Sequence, residues 1–205
     1  MCKNSCKVVF LDRDGTMNLE VNYLHRKEDL KLIDGAAEAI RLLNEAGYKV
    51  IVITNQAGVA RGYYTEADVK ILHDYMNEVL GRDGAHVDAF YYCPHHPEHG
   101  IGIYKKKCHC RKPETGMFEM AERDLPEGID KVHSYMIGDK RIDAQAGKNF
   151  GVTGVLVGTG YGAKEHAEDM AAGLIKEDGS CPAGGYDAYA ETLLDAVRGI
   201  LGGRI

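Results

Sequence analysis

Short apolar runs alternate along the chain with segments whose apolar residues recur at helical spacing. Five runs rich in Val, Ile, Tyr and Phe predict β-strands at residues 7–12, 49–54, 87–92, 133–138 and 152–157. Five other segments predict helices at residues 35–46, 65–81, 114–124, 141–149 and 186–201. The helix 65–81 has the clearest pattern, because Thr65 can cap it and acidic residues occupy its first turn. This alternation predicts an α/β fold with a parallel sheet covered on both faces.

Three segments do not fit a simple alternation of strands and helices. Residues 15–33 are too long for a tight connection, and we interpret them as a flap over the ends of the strands. Residues 93–113 form an insertion rich in Cys and His, and residues 158–185 predict a surface loop that is partly helical near 163–172. We find neither a repeat nor a second domain, so residues 1–205 are predicted to form a single domain.

The composition limits the kinds of molecule that the protein is expected to bind. The chain of 205 residues carries 25 basic and 31 acidic side chains, a net charge of -6, so no broad basic face for nucleic acid is expected. The dense basic stretch Lys105–Lys107 would suit a small anionic ligand. No apolar run approaches the ~20 residues of a membrane span, and no signal peptide is recognised. We expect a cytoplasmic monomer in which the six cysteines are thiols.

The segment Asp12-Arg13-Asp14-Gly15-Thr16 directly follows the first predicted strand. Residues two apart in an extended segment point to the same side, so both carboxylates can face one crevice. This arrangement suits a nucleophile beside a general acid/base, with a hard cation such as Mg²⁺ between them. The alternative is an acidic turn, because Asp and Gly are common turn residues.

Further polar groups follow other predicted strands, and parallel sheets bind ligands at the carboxyl ends of their strands. Thr54 and the backbone amides of residues 55–62 can bind phosphate oxygens. Arg111 and Lys112 offer positive charge for anionic groups, and Asp139 with Asp143 fits a magnesium ligand and its support. Each motif alone has an ordinary alternative. Thr54-Asn55 can be a common turn, Arg111-Lys112 a solvated surface pair, and Asp139 with Asp143 the acidic start of a helix.

A cluster of cysteines and histidines lies in the insertion. Cys93-Pro94-His95-His96-Pro97 is followed by Cys108-His109-Cys110, immediately before Arg111. Three cysteines and one histidine suit a closed tetrahedral Zn²⁺ site, with His95 or His96 as the fourth ligand. The alternative for the clustered cysteines is that they are buried thiols without a metal. Cys2, Cys6 and Cys181 are scattered along the chain and are predicted to be ordinary thiols. A zinc here would stiffen the loop and aim the following basic residues at the crevice.

The order Asp-x-Asp-Gly-Thr, Thr-Asn, Lys-Pro and Gly-Asp-x-x-x-Asp resembles the haloacid dehalogenase superfamily of phosphohydrolases over about residues 7–160. The resemblance implies a Rossmann-like, three-layer αβα fold without a large cap domain. It also implies that Asp12 is the nucleophile, that Asp14 is the general acid/base, and that Thr54 and Lys112 hold the phosphoryl oxygens. Mg²⁺ would be held by Asp12, the backbone carbonyl of Asp14, and Asp139.

Within that superfamily the zinc loop is similar to that of the D-glycero-D-manno-heptose 1,7-bisphosphate 7-phosphatases. This resemblance favours His95 as the fourth zinc ligand, with Cys93, Cys108 and Cys110. It implies a Mg²⁺-dependent enzyme that removes the C7 phosphate through an aspartyl phosphate, on the route to nucleotide-activated heptose for lipopolysaccharide or surface-layer glycan. The residues that match the family's substrate contacts are Glu20, Val21, Asn22, Tyr23, Thr54, Asn55, Gln56, Ala57, Arg111 and Lys112. The resemblance also counts Arg111 among the catalytic residues and implies that it reads the distal C1 phosphate or nearby hydroxyls.

Three other functions are alternatives for this sequence. A histidinol-phosphate phosphatase shares the fold and a zinc loop, but its loop is short, whereas the loop here runs from His96 to Lys107. A zinc-stabilised binding module without catalysis is disfavoured because Asp12, Asp14, Lys112 and Asp139 are all present. A polynucleotide 3′-phosphatase is disfavoured by the acidic charge balance and by the lack of a kinase P-loop.

Overall fold

The computed structural model describes residues 5–205, and Cys2 lies outside them. Six parallel strands form one sheet in the order β3-β2-β1-β4-β5-β6, the order of doubly wound Rossmann-type folds. The strands are β1 (Val8–Leu11), β2 (Lys49–Asn55), β3 (Ala89–Cys93), β4 (Tyr135–Gly138), β5 (Thr153–Val157) and β6 (Ala188–Ala190). The helices are α1 (Ala36–Glu45), α2 (Ala57–Ala60), α3 (Glu66–Gly81), α4 (Gly116–Asp124), α5 (Arg141–Phe150), α6 (Gly162–Ala171) and α7 (Leu193–Leu201). The predicted α/β class and parallel sheet are confirmed.

Side-chain alternation along the strands divides the core into two layers. Val9 and Leu11 of β1 pack in one cluster with apolar residues of α1, α3 and α7. Val8 and Phe10 point to the opposite face and pack with residues of α4 and α5, and the ring of Phe10 lies 4.8 Å from that of Phe118. Helices therefore cover both faces of the sheet, which is the three-layer αβα arrangement expected from the resemblance.

The start of α3 confirms the capping pattern of the sequence. The Thr65 hydroxyl accepts a hydrogen bond from the Asp68 backbone N–H at 3.2 Å, and the Asp68 carboxylate accepts one from the Thr65 backbone N–H at 2.8 Å. Two backbone donors at the helix N-terminus are thereby satisfied. Val69, Leu72 and Met76 are buried, as the helical spacing predicted.

The predicted helix 186–201 is wrong in its first half. Ala188–Ala190 forms the edge strand β6, and the helix α7 begins only at Leu193. A strand of three residues is too short to show an alternating pattern. The Thr192 hydroxyl accepts from the Asp195 backbone N–H at 3.1 Å, so the true start of the helix carries a capping signal that the sequence does contain.

The irregular segment 158–185 contains a helix near the predicted position, and one further helical turn was not predicted. The loop 158–185 contains α6, close to the helical stretch expected at 163–172. The further helical turn is α2, which follows β2 and which the sequence pattern does not indicate. The strand order reverses at β1, whose neighbours β2 and β4 lie on opposite sides of it, so a crevice is expected at the carboxyl ends of these strands. Within residues 5–205, no helix is long and apolar enough to cross a membrane.

Candidate active site

A cavity of about 330 Å³ opens at the carboxyl ends of β1, β2 and β4, where the strand order predicts a ligand site. Residues from the first two motifs, the flap, the end of the zinc loop and the start of α5 meet there. The lining residues are Asp12, Asp14, Glu20, Asn22, Tyr23, Thr54, Asn55, Gln56, Ala57, Tyr64, Arg111, Lys112, Lys140, Ile142, Asp143 and Tyr161. All the predicted substrate-contact residues except Val21 therefore border one space.

Val21 is the exception among the flap residues. Its side chain is exposed and borders a separate hollow with Leu19, Leu24 and other flap residues. Its neighbours Asn22 and Tyr23 have φ values of 51° and 71°, in the left-handed region that side chains rarely adopt. This local backbone conformation brings Asn22 and Tyr23 to the cavity and is typical of strained ligand-binding segments.

Three buried carboxylates lie close together; Asp12 and Asp143 line the cavity, whereas Asp139 is fully buried and does not line it. Oxygen atoms of Asp12, Asp139 and Asp143 lie within 4.8 Å of one another. The Lys112 ammonium contacts Asp12 at 2.7 Å and Asp143 at 2.7 Å, and it also donates to the Ile53 carbonyl oxygen at 2.8 Å. Burial acts to lower the pKa of Lys112, but the two carboxylates outweigh it and raise that pKa. Lys112 is therefore a fixed positive charge beside Asp12.

One lysine does not neutralise three carboxylates, and the resulting excess of negative charge disfavours ionisation of Asp139. Its pKa is raised to about 8, first by burial and then by the charges of Asp12 and Asp143. Its Oδ1 atom is buried and has no hydrogen-bond partner among the described residues. Gly15 and Gly160 make room for this carboxylate, because a Cβ at either position would overlap it. A divalent cation that accepts oxygen ligands would satisfy both the charge and the orphaned oxygen, so the donor set fits Mg²⁺.

The surroundings of Asp14 favour its ionised form, in contrast to those of Asp139. Its Oδ1 accepts hydrogen bonds from Arg13 at 3.1 Å and Asn18 at 3.0 Å, and its Oδ2 accepts from Arg13 at 2.8 Å and Gln56 at 3.1 Å. Burial acts to raise the pKa of Asp14, but the Arg13 guanidinium and these hydrogen bonds outweigh it and lower that pKa. In the protein without substrate, Asp14 is therefore an oriented carboxylate.

Arg13, whose side chain is fully buried, belongs to this hydrogen-bond network and was not singled out by the sequence. Besides Asp14, it donates to the Leu24 carbonyl oxygen at 3.2 Å and the Gln56 side-chain oxygen at 3.1 Å. His73 lies 3.4 Å from it and is neutral, because burial and the Arg13 charge lower the pKa of His73 to about 3. A buried guanidinium requires such partners, so Arg13 ties the position of Asp14 to the flap and to the residues after β2.

Gln56 links the second motif to the same network. Its amide nitrogen donates to the Thr54 hydroxyl at 2.9 Å, and its amide oxygen accepts from the Tyr64 hydroxyl at 2.7 Å. The Asn55 side-chain oxygen accepts a hydrogen bond from the Lys112 backbone N–H at 3.1 Å, which joins the end of β2 to the Lys-Pro motif. The orientations of Thr54 and Lys112 are thus fixed before any ligand binds.

Lys140 is a second residue that the sequence did not single out. It lines the cavity directly after Asp139, its ammonium lies 4.6 Å above the ring of Tyr161 and 3.9 Å from Glu20, and its backbone N–H donates to Asp143 at 3.1 Å. Its position in the Gly-Asp-Lys segment was visible in the sequence. The contact with the flap was not, because it depends on the tertiary path of residues 15–33.

The zinc-loop residues meet beside the cavity. Sulfur atoms of Cys93, Cys108 and Cys110 lie 3.3–3.5 Å apart, and the His95 Nδ1 atom lies 3.7 Å from Cys93 and 3.4 Å from Cys110. These four ligand atoms could hold a metal ion, and the sulfur separations are close to the ~3.8 Å that Zn–S bonds of 2.3 Å imply. Hydrogen bonding, first from Cys93, lowers the pKa of Cys110 to about 5, so a thiolate is available at neutral pH. All five described cysteines are free thiols.

Of the two candidate histidines, His95 is the one whose ring nitrogen is grouped with the three sulfur atoms. His96 is turned away from the sulfur atoms, and its Nδ1 accepts hydrogen bonds from the backbone N–H groups of Glu98 and His99. The next residue after the cluster, Arg111, donates from Nη1 to the His95 carbonyl oxygen at 3.1 Å. The cluster therefore holds the segment that carries Arg111 and Lys112 against the cavity.

Comparison with known proteins identifies the family of the chain. A family model described as HAD-hydrolase-like matches residues 109–178. The D-glycero-β-D-manno-heptose-1,7-bisphosphate 7-phosphatase of Haemophilus ducreyi is 46% identical over 167 residues, covering 80% of this chain and 90% of that protein. The α-anomer 7-phosphatase of Photorhabdus laumondii is 40% identical over 170 residues, covering 82% of this chain and 92% of that one.

A solved structure extends the similarity to the whole fold. The D,D-heptose 1,7-bisphosphate phosphatase of B. bronchiseptica, complexed with magnesium and phosphate, is 31% identical and covers 96% of this chain and 99% of that chain. The two structures superpose with a TM-score of 0.78. The chain belongs to the D-glycero-D-manno-heptose-1,7-bisphosphate 7-phosphatase family of the haloacid dehalogenase superfamily.

Proposed function

We propose that the protein removes the C7 phosphate of D-glycero-D-manno-heptose 1,7-bisphosphate and yields heptose 1-phosphate for nucleotide-activated heptose. The observation that carries this proposal is the Asp12–Asp139–Asp143 cluster with its paired Lys112, beside a cavity lined by family-matched residues. The product would serve lipopolysaccharide or surface-layer glycan synthesis. The enzyme is thus a phosphoric monoester hydrolase acting on a sugar bisphosphate.

The chemistry divides between the two carboxylates of the first motif. The Asp12 carboxylate attacks phosphorus, the bond from phosphorus to the C7 oxygen breaks, and Asp14 gives its proton to the departing alkoxide. Asp14, then ionised, takes a proton from water that attacks the aspartyl phosphate, which releases phosphate and restores Asp12. The hydrogen bonds around Asp14 prepare it for the second step. A bound phosphate dianion nearby raises the pKa of Asp14 and so favours the protonated form that the first step needs.

The remaining groups hold the phosphoryl oxygens and supply positive charge. Lys112 contacts Asp12 at 2.7 Å and, with Thr54, is placed to bind oxygens of the transferred phosphoryl group. Mg²⁺ held by Asp12, the backbone carbonyl of Asp14, and Asp139 would offset the charge that develops on that group. Asp143 supports this set through Lys112.

We assign Zn²⁺ to Cys93, His95, Cys108 and Cys110, in a structural role. The four ligand atoms come from two short clips that close a long loop with few buried residues. The described active site is complete within one chain, which supports a monomer as the active species. Free thiols at five described cysteines are consistent with a reducing compartment, and we place the enzyme in the cytoplasm.

Phosphate release from a panel of substrates tests the proposal. The panel contains heptose 1,7-bisphosphate as both C1 anomers, histidinol phosphate and a 3′-phosphorylated oligonucleotide, with Mg²⁺ present. We expect the highest kcat/KM for one anomer of the bisphosphate. Preference for histidinol phosphate would replace the proposed substrate by the nearest alternative, and release from none would favour a binding module without catalysis.

A further inference from the structure

Arg13 anchors both ends of the flap segment that faces the cavity. Its backbone carbonyl oxygen accepts hydrogen bonds from the backbone N–H groups of Met17 at 2.9 Å and Asn18 at 3.2 Å. Its fully buried guanidinium donates from Nη2 to the Leu24 carbonyl oxygen at 3.2 Å. The flap residues 20–23, which match substrate contacts, lie between these two anchor points. Any change in the position of this segment relative to the crevice therefore alters the contacts of Arg13.

The same guanidinium fixes the plane of the Asp14 carboxyl group. Nε and Nη2 of Arg13 donate to the two oxygens of Asp14, at 3.1 Å and 2.8 Å, which is the forked geometry that a planar guanidinium offers to a carboxylate. Nη2 also contacts the Leu24 carbonyl oxygen, so one nitrogen atom joins the flap to Asp14. Asp14 lines the cavity, whereas Arg13 lies behind it.

A second path joins the flap to Asp14. The ring of His25, within the flap, stacks on the ring of Tyr64, with centroids 5.3 Å apart and planes inclined by 15°. The Gln56 side-chain oxygen accepts from the Tyr64 hydroxyl at 2.7 Å and from Arg13 Nη2 at 3.1 Å. The Gln56 amide nitrogen donates to Asp14 at 3.1 Å. Both paths therefore end on the same carboxyl group.

The charge of Arg13 is directed at Asp14 alone. Asp14 is the carboxylate that pairs with Arg13 within residues 5–205. The other nitrogen, Nη1, lies 3.4 Å from Nε2 of His73, which is neutral and stacks on Phe90 with ring centroids 4.4 Å apart. Because its remaining partners are neutral, the guanidinium has no competing anion that would draw it away from Asp14.

We propose that Arg13 is a positioning residue through which the flap sets the orientation of the Asp14 carboxyl group for proton transfer to the departing oxygen. This inference rests on the proposed function, in which Asp14 is the general acid. Arg13 does not border the cavity, so it acts through Asp14 and not on the substrate. A proton donor must lie within hydrogen-bond reach of the leaving oxygen, and a displacement of about 1 Å can cost roughly 100-fold in rate.

The test measures how kcat/KM depends on the acidity of the leaving phenol in a series of substituted phenyl phosphates. These substrates lack the sugar, so contacts between the sugar and the flap do not contribute. An aligned proton donor makes the dependence shallow, because the leaving oxygen is protonated as it departs. Arg13→Lys should make it steep, with a loss of about 100-fold for the least acidic phenol and less than about threefold for the most acidic.

His25→Ala tests the contribution of the flap without changing Arg13 or Asp14. The substitution removes the ring that stacks on Tyr64 and leaves the buried guanidinium contacts in place. The dependence on the leaving phenol should steepen in the same direction, with a smaller loss of about three- to tenfold for the least acidic phenol. This variant also keeps the proposal testable if circular dichroism shows that Arg13→Lys does not fold.

A double-mutant cycle separates positioning of Asp14 from general support of the fold. In Asp14→Asn the proton donor is already absent, so the addition of Arg13→Lys should lower kcat/KM by less than about threefold for the least acidic phenol. Arg198→Lys is the matched control, because this arginine of α7 also pairs with a carboxylate, Glu38 at 3.0 Å, and does not line the cavity. It should leave the dependence at that of the wild type.

Three results would overturn the assignment. A uniform loss across the phenyl phosphates in Arg13→Lys, or equal losses in the two backgrounds of the cycle, would mean that Arg13 supports the fold and not the proton transfer. A wild-type dependence in His25→Ala would remove the flap from the proposal. Release from phenyl phosphates but not from heptose bisphosphate would instead reject the proposed substrate, and the role of Arg13 would stand. No release from either substrate class by the wild type would overturn the proposed function.

Discussion

Asp12 and Asp14 are separated by one residue, yet their surroundings prepare them for different tasks. Asp12 faces a buried lysine and two further carboxylates, whereas Asp14 is surrounded by hydrogen-bond donors. Asp12→Asn keeps the size of the side chain and removes the attacking charge. We expect kcat to fall by several orders of magnitude while folding and zinc content stay unchanged, measured by phosphate release and elemental analysis. Near wild-type turnover in a preparation free of host phosphatase would contradict the nucleophile assignment.

Asp14→Asn should show a dependence on the leaving group. A sugar alkoxide needs a proton to depart, whereas an activated aryl oxide does not, so the first step should suffer only with the sugar phosphate. We expect a loss of roughly 10²–10⁴-fold in kcat/KM for heptose bisphosphate and a smaller loss for an aryl phosphate. Equal losses on both substrates would assign Asp14 to metal or phosphate binding in place of proton transfer.

Asp139 is the residue whose surroundings most require a bound cation. Its pKa is raised to about 8 and one of its buried oxygens has no partner, which a bound divalent ion would remedy. Asp139→Asn should raise the Mg²⁺ concentration for half-maximal activity at least about tenfold and lower kcat. Titration of Mg²⁺ after treatment with EDTA measures this, with the exposed Asp83→Asn as control. Full activity of the wild type in EDTA would argue against a catalytic metal.

At the scale of elements, removal of one zinc ligand should disturb the zinc loop more than any helix or strand. Cys108→Ser should release the ion, loosen the segment that presents Arg111 and Lys112, and lower kcat/KM by up to about 100-fold. The sheet should remain folded, because its core does not depend on residues 94–107. Elemental analysis and circular dichroism measure the two effects. Cys6→Ser is the control, since serine can still donate to the Gly128 carbonyl oxygen that Cys6 contacts. Zinc-free wild-type protein with full activity would rule the role out.

Elements with strong periodicity were predictable from the sequence, and those without it were not. The buried strands β1 and β2 read as continuous apolar runs, and α3 carries both a cap and an apolar stripe. The turn α2 and the strand β6 are too short for any period, and they exist because neighbouring strands and loops stabilise them. Helical spacing around Leu193 dominated the window that contains β6, which explains why the helix was predicted too early.

At the scale of the whole molecule, the candidate site follows from topology more than from any one motif. The sequence supplied the polar residues after each strand, and the parallel sheet brought their side chains together as expected. The sequence did not indicate that Arg13 would be buried against Asp14 or that Lys140 would face Glu20 of the flap. The Lys140–Glu20 contact and the Arg13 bond to Leu24 depend on the path of residues 15–33 across the crevice, and the Arg13 bond to Gln56 depends on the position of β2; no local pattern specifies either.

Whether residues 1–205 behave as one domain is also a property of the whole molecule. The helix α7 packs against α1 and buries Leu193 in the cluster that contains Val9 and Leu11 next to the nucleophile. If the C-terminal segment belongs to the same cooperative unit, Leu193→Ala should lower the free energy of unfolding of the entire protein by about 2–5 kcal/mol. Leu201→Ala, whose side chain is 40% exposed, should change it by no more than about 0.5 kcal/mol.

Urea unfolding followed by circular dichroism and by activity gives the measurement for both variants. We expect the two probes to report one coincident transition in the wild type and in Leu193→Ala, with a lower midpoint in the variant and an unchanged slope. The physical reason is that α1, α7 and β1 share one core, so the apolar cavity left by the substitution weakens the sheet that carries Asp12. Separate transitions, with helix signal lost before activity, would instead make the C-terminal segment a unit of its own.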